Sequence, residues 1–381
     1  MNFPIERFQS IKTPFYYYDL DLLKNTIAEV ERHVGDSRYH VHYALKANAN
    51  PDIIKPICEA GWGVDCVSGN EVMTAVENGF DPSSIVFAGV GKTDDEINYA
   101  LRVGIGCFNV ESLPELEVIS QLAVVKNVTA KVSLRVNPNV DAHTHHYITT
   151  GLTENKFGID LRHLDAVVEA AFSLPNISLE GLHFHIGSQI TDMEPYRQLC
   201  EKVNELQAHF AAKGITFATI NVGGGLGIDY DNPDLNPIAD FKSYFEVFRN
   251  NLKLGENQQL HFELGRSIVA QCGALISRVL YVKKGVEKQF AILDAGMNDL
   301  LRPALYGAHH KIENISSPDA SEEVYDVVGP VCESSDVFGR EERLPHMQRG
   351  TLVALRSAGA YGETMASRYN LRTLPEAVYS E

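Results

Sequence analysis

The feature that most constrains this chain is a repeated alternation. Short apolar segments, read as strands at Val41–Lys46, Gly63–Val67, Ile85–Ala88, Gly106–Val110, Val132–Val136, Leu179–His185, Ile220–Gly223 and Leu260–Glu263, are separated by stretches spaced for amphipathic helices. The clearest of these are Asn70–Asn78, Asp94–Val103, Leu113–Leu122, Asp160–Phe172, Met193–Lys213 and Ile238–Leu252. Eight strand and helix units are the pattern of a (β/α)8 barrel, although a doubly wound sheet uses the same alternation. The polar residues favour the barrel. Nearly every apolar strand ends on an ionisable, hydroxyl or glycine residue: Lys46, Asp65 with Ser68, Asn109 with Glu111, Arg135 with Asn137, His183 with His185 and Ser188, Gly223 to Gly225, and Glu263 with Arg266. A barrel gathers such ends at one mouth, where its chemistry sits.

Composition narrows the function classes. A chain of 381 residues, 44% hydrophobic and 22% charged, suits a soluble globular protein of two domains. Its net charge of −17 argues against a nucleic-acid or anionic-membrane partner, either of which needs a basic face. The opening MNFPIERFQS has neither a basic region nor an apolar core, and no apolar run reaches the length of a membrane span, so a cytoplasmic location is expected. Six cysteines without a CxxC pair read as reduced thiols rather than as a disulfide framework or zinc ribbon.

The strand ends offer several chemistries. Lys46, in Tyr43–Asn48 (YALKAN), is either a lysine snorkelling from a strand end or an amine dehydrated enough to attack a carbonyl. Gly223–Gly227 (GGGLG) misses the GxGxxG spacing and lacks a P-loop lysine. It is either a tight barrel turn or a cradle of backbone N–H groups for one phosphate, to which Ser188 can add a hydroxyl. His183 and His185 form an HxH pair, with His143, His145 and His146 in the loop before them; without carboxylate or cysteine at short spacing, no metal is expected. Glu263, in HFELGR, either pairs with Arg266 or faces a pyridine nitrogen and holds it protonated.

These motifs in order, YALKAN, Val64–Ser68 (VDCVS), HFHIGSQ from His183, GGGLG and ELGR, resemble the fold-type III pyridoxal-phosphate decarboxylases, which share their fold with alanine racemases and ornithine decarboxylases. Met297–Tyr306 (MNDLLRPALY), Gly329–Ser334 (GPVCES) and Ala358–Gly362 (AGAYG) are similar to the branch that decarboxylates diaminopimelate. The resemblance runs nearly end to end. It implies a barrel over residues 21–265 inserted into a discontinuous β domain formed by 1–20 and 266–381. Strand-like segments at Ala274–Val282, Phe290–Leu293, Val324–Val328 and Thr351–Leu355 agree with that domain, which the strand Pro14–Asp19 would complete. Family members often carry a longer closing element than the one ending at Glu381, a departure that bears on the edge of the β domain and not on the chemistry.

The resemblance also implies roles. Lys46 would hold pyridoxal 5'-phosphate covalently, His185 would stack on its ring, and Glu263 would partner the pyridine nitrogen. Asp65 and Arg135 would surround the cofactor, with Ser188, Gly224, Gly225, Gly265 and Arg266 cradling its phosphate. Tyr361 would touch cofactor and substrate. Cys332 would cross from a partner subunit as proton donor, making the active form a homodimer with sites at its interface, and Glu333 would bind substrate. An acid rather than an arginine at 263 favours decarboxylation over racemisation. Arg302 and Arg266 offer forked donors for a distal carboxylate, with Tyr306 as a further hydrogen-bonding group, so meso-diaminopimelate is the expected substrate and ornithine is disfavoured. Other decarboxylases of this fold, or a non-catalytic cofactor-binding regulator, are the alternatives.

Overall fold

Strand alternation in this chain closes on itself. The computed structural model describes residues 1–140, 156–317 and 321–381, which fall into two units. Strand β1 (Phe15–Tyr18) belongs to the second of them. The next eight strands are β2 (Tyr39–Ala44), β3 (Gly63–Cys66), β4 (Ile85–Phe87), β5 (Cys107–Val110), β6 (Ala130–Arg135), β7 (Ile177–His183), β8 (Thr219–Asn221) and β9 (Gln259–Leu264). They pair in parallel in sequence order, and β9 returns to β2, so the sheet is a closed barrel with no free edge. The doubly wound alternative is thereby ruled out.

Alternation along each strand divides the barrel wall into two faces. On β9, Phe262 meets Tyr244, Phe245 and Phe248 of the helix Phe241–Asn251, with ring centroids 5.0 to 5.7 Å apart, while its neighbour Glu263 turns to the interior. Such aromatic pairs add about 0.5–1.5 kcal/mol each beyond the area they bury. The helices that follow the strands start on local signals. Asn50 Oδ1 accepts the Asp52 N–H with Pro51 in the first turn, and Thr93 with Glu96 forms a reciprocal capping box.

The second unit comprises Met1–Thr26, Ile228–Ala239 and Arg266–Glu381. Its strands after β1 are β10 (Gly273–Lys284), β11 (Gln289–Leu293), β12 (Ile312–Asn314), β13 (Glu322–Val328), β14 (Val337–Pro345), β15 (Leu352–Leu355) and β16 (Glu376–Tyr379). The sheet runs β12-β15-β10-β11-β13-β14, and β1 pairs with the start of β10. Phe8, Phe15, Tyr17, Ile276 and Leu352 form its buried core. The edge of the domain beside β1 is occupied by Glu376–Tyr379, which runs parallel to β1 with Phe15 level with Glu376. The segment Ile228–Ala239, inside the span read as barrel, falls in this unit.

Candidate active site

Strand register gathers polar side chains at one mouth of the barrel. Asp65 is level with Ala44, Glu263 with His42, and His183 with both Arg135 and Asn221. Their inward side chains therefore lie at comparable heights. Around them is a cavity of about 460 Å³ lined by Lys46, Asp65, Arg135, His183, His185 and Glu263, within the range of small-molecule sites.

Lys46 lies just past the end of its strand: β2 ends at Ala44, and Lys46 is in the single turn Leu45–Ala47, with its side chain 40% exposed and Nζ 3.0 Å from Asp65 Oδ2. Asp65 is buried; burial and the nearby Glu263 charge push its pKa up, against the pull of Lys46. Its Oδ1 is buried without a hydrogen-bond partner, a state that costs about 1–3 kcal/mol.

Glu263 is the most heavily supported group in the barrel. Its Oε1 accepts from Asn109 Nδ2 at 3.0 Å and from Asn221 Nδ2 at 2.8 Å, and its Oε2 is 3.0 Å from His183 Nε2. Burial opposes ionisation, but His183, Lys46 and His185 outweigh it and hold the carboxyl below its usual range. A carboxylate has about four acceptor positions, so three donors leave one open. His183 Nδ1, also buried, has no hydrogen-bond partner.

The two histidines of the HxH motif take different parts. β7 ends at His183, and His185 lies beyond it, where Gly224 N–H approaches its Nδ1 at 3.4 Å. Burial, then the charges of Arg135 and Lys46, keep His185 well below the ordinary histidine range, so the ring is neutral. Among the described residues no group of His, Cys, Asp and Glu is placed to hold a metal; His143, His145 and His146 lie outside those residues. Arg135 Nη1 donates to Glu111 Oε1 at 2.7 Å and lies over the Phe157 ring, and Glu111 Oε2 accepts the Gly158 N–H.

The glycine turn is obligatory in this packing. Gly223 and Gly225 have φ of +68° and +99°, and a Cβ at Gly223, Gly224 or Gly225 would collide with the carbonyl oxygens of Phe184, Glu263 and Gly187 respectively. The loop carrying Ser188 is stitched to this turn by Ile190 N–H to Gly225 O and Gly227 N–H to Ile190 O, both 2.9 Å. At the far end of β9, a Cβ on Gly265 would press on Ala44 and Ala47 beside Lys46.

The sheet unit holds a second constellation. Arg266 Nη1 donates to Tyr230 Oη at 2.7 Å and stacks on Tyr361, and Arg302 lies over the Tyr230 ring at 5.0 Å. Tyr361 has a left-handed φ of +58°, an uncommon state for a non-glycine residue. Burial raises the Tyr230 phenol, but the two guanidinium groups outweigh it and draw its pKa down. Arg302 is only 5% exposed. Burial lowers its pKa, Tyr230 opposes that and Arg266 adds to it; no carboxylate is among the groups acting on it most strongly. Tyr306 ends the same short helix, Arg302–Tyr306, and is half-buried. Cys332 and Glu333 are exposed on the loop after β13, which is braced where Asp336 accepts the N–H groups of Val331 and Met297. Glu333 accepts from Tyr369 Oη at 2.6 Å.

Sequence reasoning missed Asn221, Tyr230 and His310 and gave His183 no role. Asn221 stands directly before the glycine turn and its Oδ1 also accepts the Gly223 N–H, so an asparagine at a strand end beside a GGG was a usable signal. Tyr230 and His310 carry no motif of their own.

Comparison with known proteins places the chain. Residues 20–270 match the family model described as the pyridoxal binding domain of the pyridoxal-dependent decarboxylases. The chain belongs to that family: it is a carboxy-lyase that uses pyridoxal phosphate. Its relatives include the diaminopimelate decarboxylase of Bacteroides thetaiotaomicron, 57% identical over 380 residues that cover 100% of this chain and 98% of the relative. The diaminopimelate decarboxylase of Helicobacter pylori strain J99 is 43% identical over 96% of this chain and 90% of its own length. A crystal structure of the Helicobacter pylori enzyme complexed with L-lysine superposes with a TM-score of 0.93 at 42% identity, covering 99% of this chain and 94% of that one.

Proposed function

We propose that this chain decarboxylates meso-2,6-diaminopimelate to L-lysine and CO2, using pyridoxal phosphate held at the barrel mouth. The observation that carries the reading is the Glu263 carboxylate, ionised, buried, held by three donors and left with one acceptor position, in the same cavity as Lys46 and two buried polar atoms without partners, Asp65 Oδ1 and His183 Nδ1. Such a lining fits a polar, ring-bearing group. Lys46 would hold the cofactor covalently, Glu263 would partner its ring nitrogen, neutral His185 would pack against its ring, and Asp65 and Arg135 would flank it. The glycine turn, Ser188, Gly265 and Arg266 bind its phosphate. Tyr361 contacts both cofactor and substrate.

When bound, pyridoxal phosphate supplies an electron-poor ring that accepts the electron pair left on carbon as CO2 departs. Glu263 would keep that ring protonated, and Cys332 would give a proton to the carbon that loses CO2, the thiolate then regaining one from solvent. Arg302 and Arg266 bind the substrate's distal carboxylate, Tyr306 hydrogen-bonds there, and Glu333 accepts from the distal ammonium. A buried guanidinium is costly without an anion, and no carboxylate is among the groups acting most strongly on Arg302, which supports an anionic ligand. Attack falls on the D-configured centre. The enzyme is cytoplasmic and a homodimer in which each site takes Cys332 from the partner; the exposed loop that carries Cys332 supports this. No helix among the described residues is long and apolar enough to cross a membrane.

A substrate panel tests the reading. kcat/KM for meso-diaminopimelate is expected to exceed that for ornithine by a hundredfold or more, on the order of what unpaired buried polar groups cost; comparable values would sink the assignment. Mixing Lys46→Ala and Cys332→Ala chains is expected to restore activity, because one site of the mixed dimer keeps both groups.

A further inference from the structure

We propose that His310 is a positioning residue for substrate recognition: by accepting a hydrogen bond from Arg302, it fixes which edge of that guanidinium is offered to the distal carboxylate. The inference rests on the reading of Arg302 given above. The two ring nitrogens of His310 have distinct partners. Nδ1 is 2.9 Å from the Arg356 carbonyl oxygen, which only accepts, so Nδ1 carries the proton. Nε2 is then a lone pair, and Arg302 Nη1 donates to it at 2.7 Å. A doubly protonated ring has no such lone pair and would turn a donor, and a charge, toward a buried cation.

His310 is itself held on several sides. It is 0% exposed, its ring meets Tyr230 edge-on at 5.2 Å, and the backbone beside it is tied by Arg356 N–H to Lys311 O at 2.9 Å. Arg356 is anchored in turn by Glu313 and Asp234, each at 2.7 Å. The result is a chain of fixed groups: acid-anchored Arg356, its carbonyl, the His310 tautomer, and Arg302. With Nη1 engaged by His310 and one face covered by Tyr230, rotation of the Arg302 head is blocked, and its remaining N–H donors keep one direction. A planar fork bound edge-on at a fixed angle discriminates a carboxylate from an ammonium better than a freely rotating cation does.

The test uses holoenzyme and ligands that differ only in the distal carboxylate. L-Lysine retains that carboxylate and cadaverine lacks it, so their affinities are compared by calorimetry in His310→Leu and His310→Gln, alongside KM and kcat for meso-diaminopimelate. His310→Leu removes the acceptor: L-lysine affinity is expected to fall about tenfold and KM to rise similarly, with cadaverine affinity within twofold and kcat within about threefold. His310→Gln restores an acceptor near the Nε2 position and is expected to regain most of the loss. Equal weakening of both ligands, or of neither, overturns the proposal. If His310→Leu fails to retain pyridoxal phosphate, His310→Asn, which keeps polarity but withdraws the acceptor from Arg302, is held to the same two outcomes. Arg302→Met separates this inference from the reading beneath it: if Arg302→Met leaves L-lysine affinity intact, the role of Arg302 itself fails, whereas loss in Arg302→Met without loss in His310→Leu removes His310 alone.

Discussion

The two polar constellations of this chain solve the problem of buried charge in opposite ways. In the barrel, each central charge meets a partner brought in by another part of the wall: Lys46 meets Asp65, Arg135 meets Glu111, and Glu263 meets two amides and His183. In the sheet unit, Arg266 and Arg302 converge on one tyrosine, and Arg302 leans on a neutral imidazole rather than an acid. Buried ions left without counter-charges are expensive, so on the reading proposed above the arginine pair would be completed by an anionic ligand, while the open positions on Glu263, Asp65 and His183 would be filled by the cofactor. On the proposed reading the barrel mouth tunes one resident group, and the arginine cluster recognises what comes and goes.

If that contrast is right, damage to the barrel should destroy chemistry while damage to the cluster should weaken binding. The largest effect is expected from Lys46→Ala, which removes the covalent anchor. Activity should fall by about a thousandfold or more, the borohydride-reducible adduct should vanish, and Asp65 should lose the counter-charge that offsets its burial. Retention of the adduct would mean that another amine holds the cofactor. Next in size is Glu263→Gln, which keeps the shape and the contacts of one oxygen but removes the charge. kcat is expected to fall about a hundredfold, in line with the loss of one preorganised electrostatic group, with little change in KM. A large rise in KM with unchanged kcat would place Glu263 on the binding side of the comparison.

The two regions also differed in how far the sequence disclosed them. The barrel was legible because its signals are local: an apolar run, a polar residue at its end, a helix after it. The pairing of Lys46 was not, since its partner Asp65 is 19 positions away and reaches it only through parallel pairing of β2 with β3. Strands β12, β14 and β16 escaped notice because they are short or carry charges on exposed faces, as in REER of β14, so that neither an apolar run nor clean alternation marks them. The arginine cluster is assembled from positions 230, 266, 302, 310 and 361, on loops and two short helices, where no periodicity links one residue to the next. Arg266 was visible as a polar strand end and Arg302 only through motif resemblance, while Tyr230 and His310, which touch them, were not found at all.

The smallest expected effect probes the same contrast through acid stability. Burial, then Arg302, pulls the His310 pKa down to about 3 from the 6.5 of an unfolded histidine. A group with a depressed native pKa leaves the unfolded chain holding more protons between those two values, so His310 contributes stability that is full above pH 6.5 and is lost as pH falls toward 3. From pH 6.5 to pH 5.5 the loss from this one ring is about 1 kcal/mol, a little less than the 1.36 kcal/mol of a full unit because titration of the unfolded form is only half complete at its pKa. Other buried groups, His42 and His261 of the barrel among them, add slopes of their own, but those are common to wild type and variant. His310→Gln has no proton to gain, so the difference between its unfolding free energy and that of the wild type should shift by about 1 kcal/mol in favour of the variant over this interval, measured by urea titration at the two pH values. The direction of that shift is the informative part. A difference that stays constant, or that favours the wild type on acidification, would mean that His310 is charged in the native protein, and its Nε2 would then have no lone pair to offer Arg302.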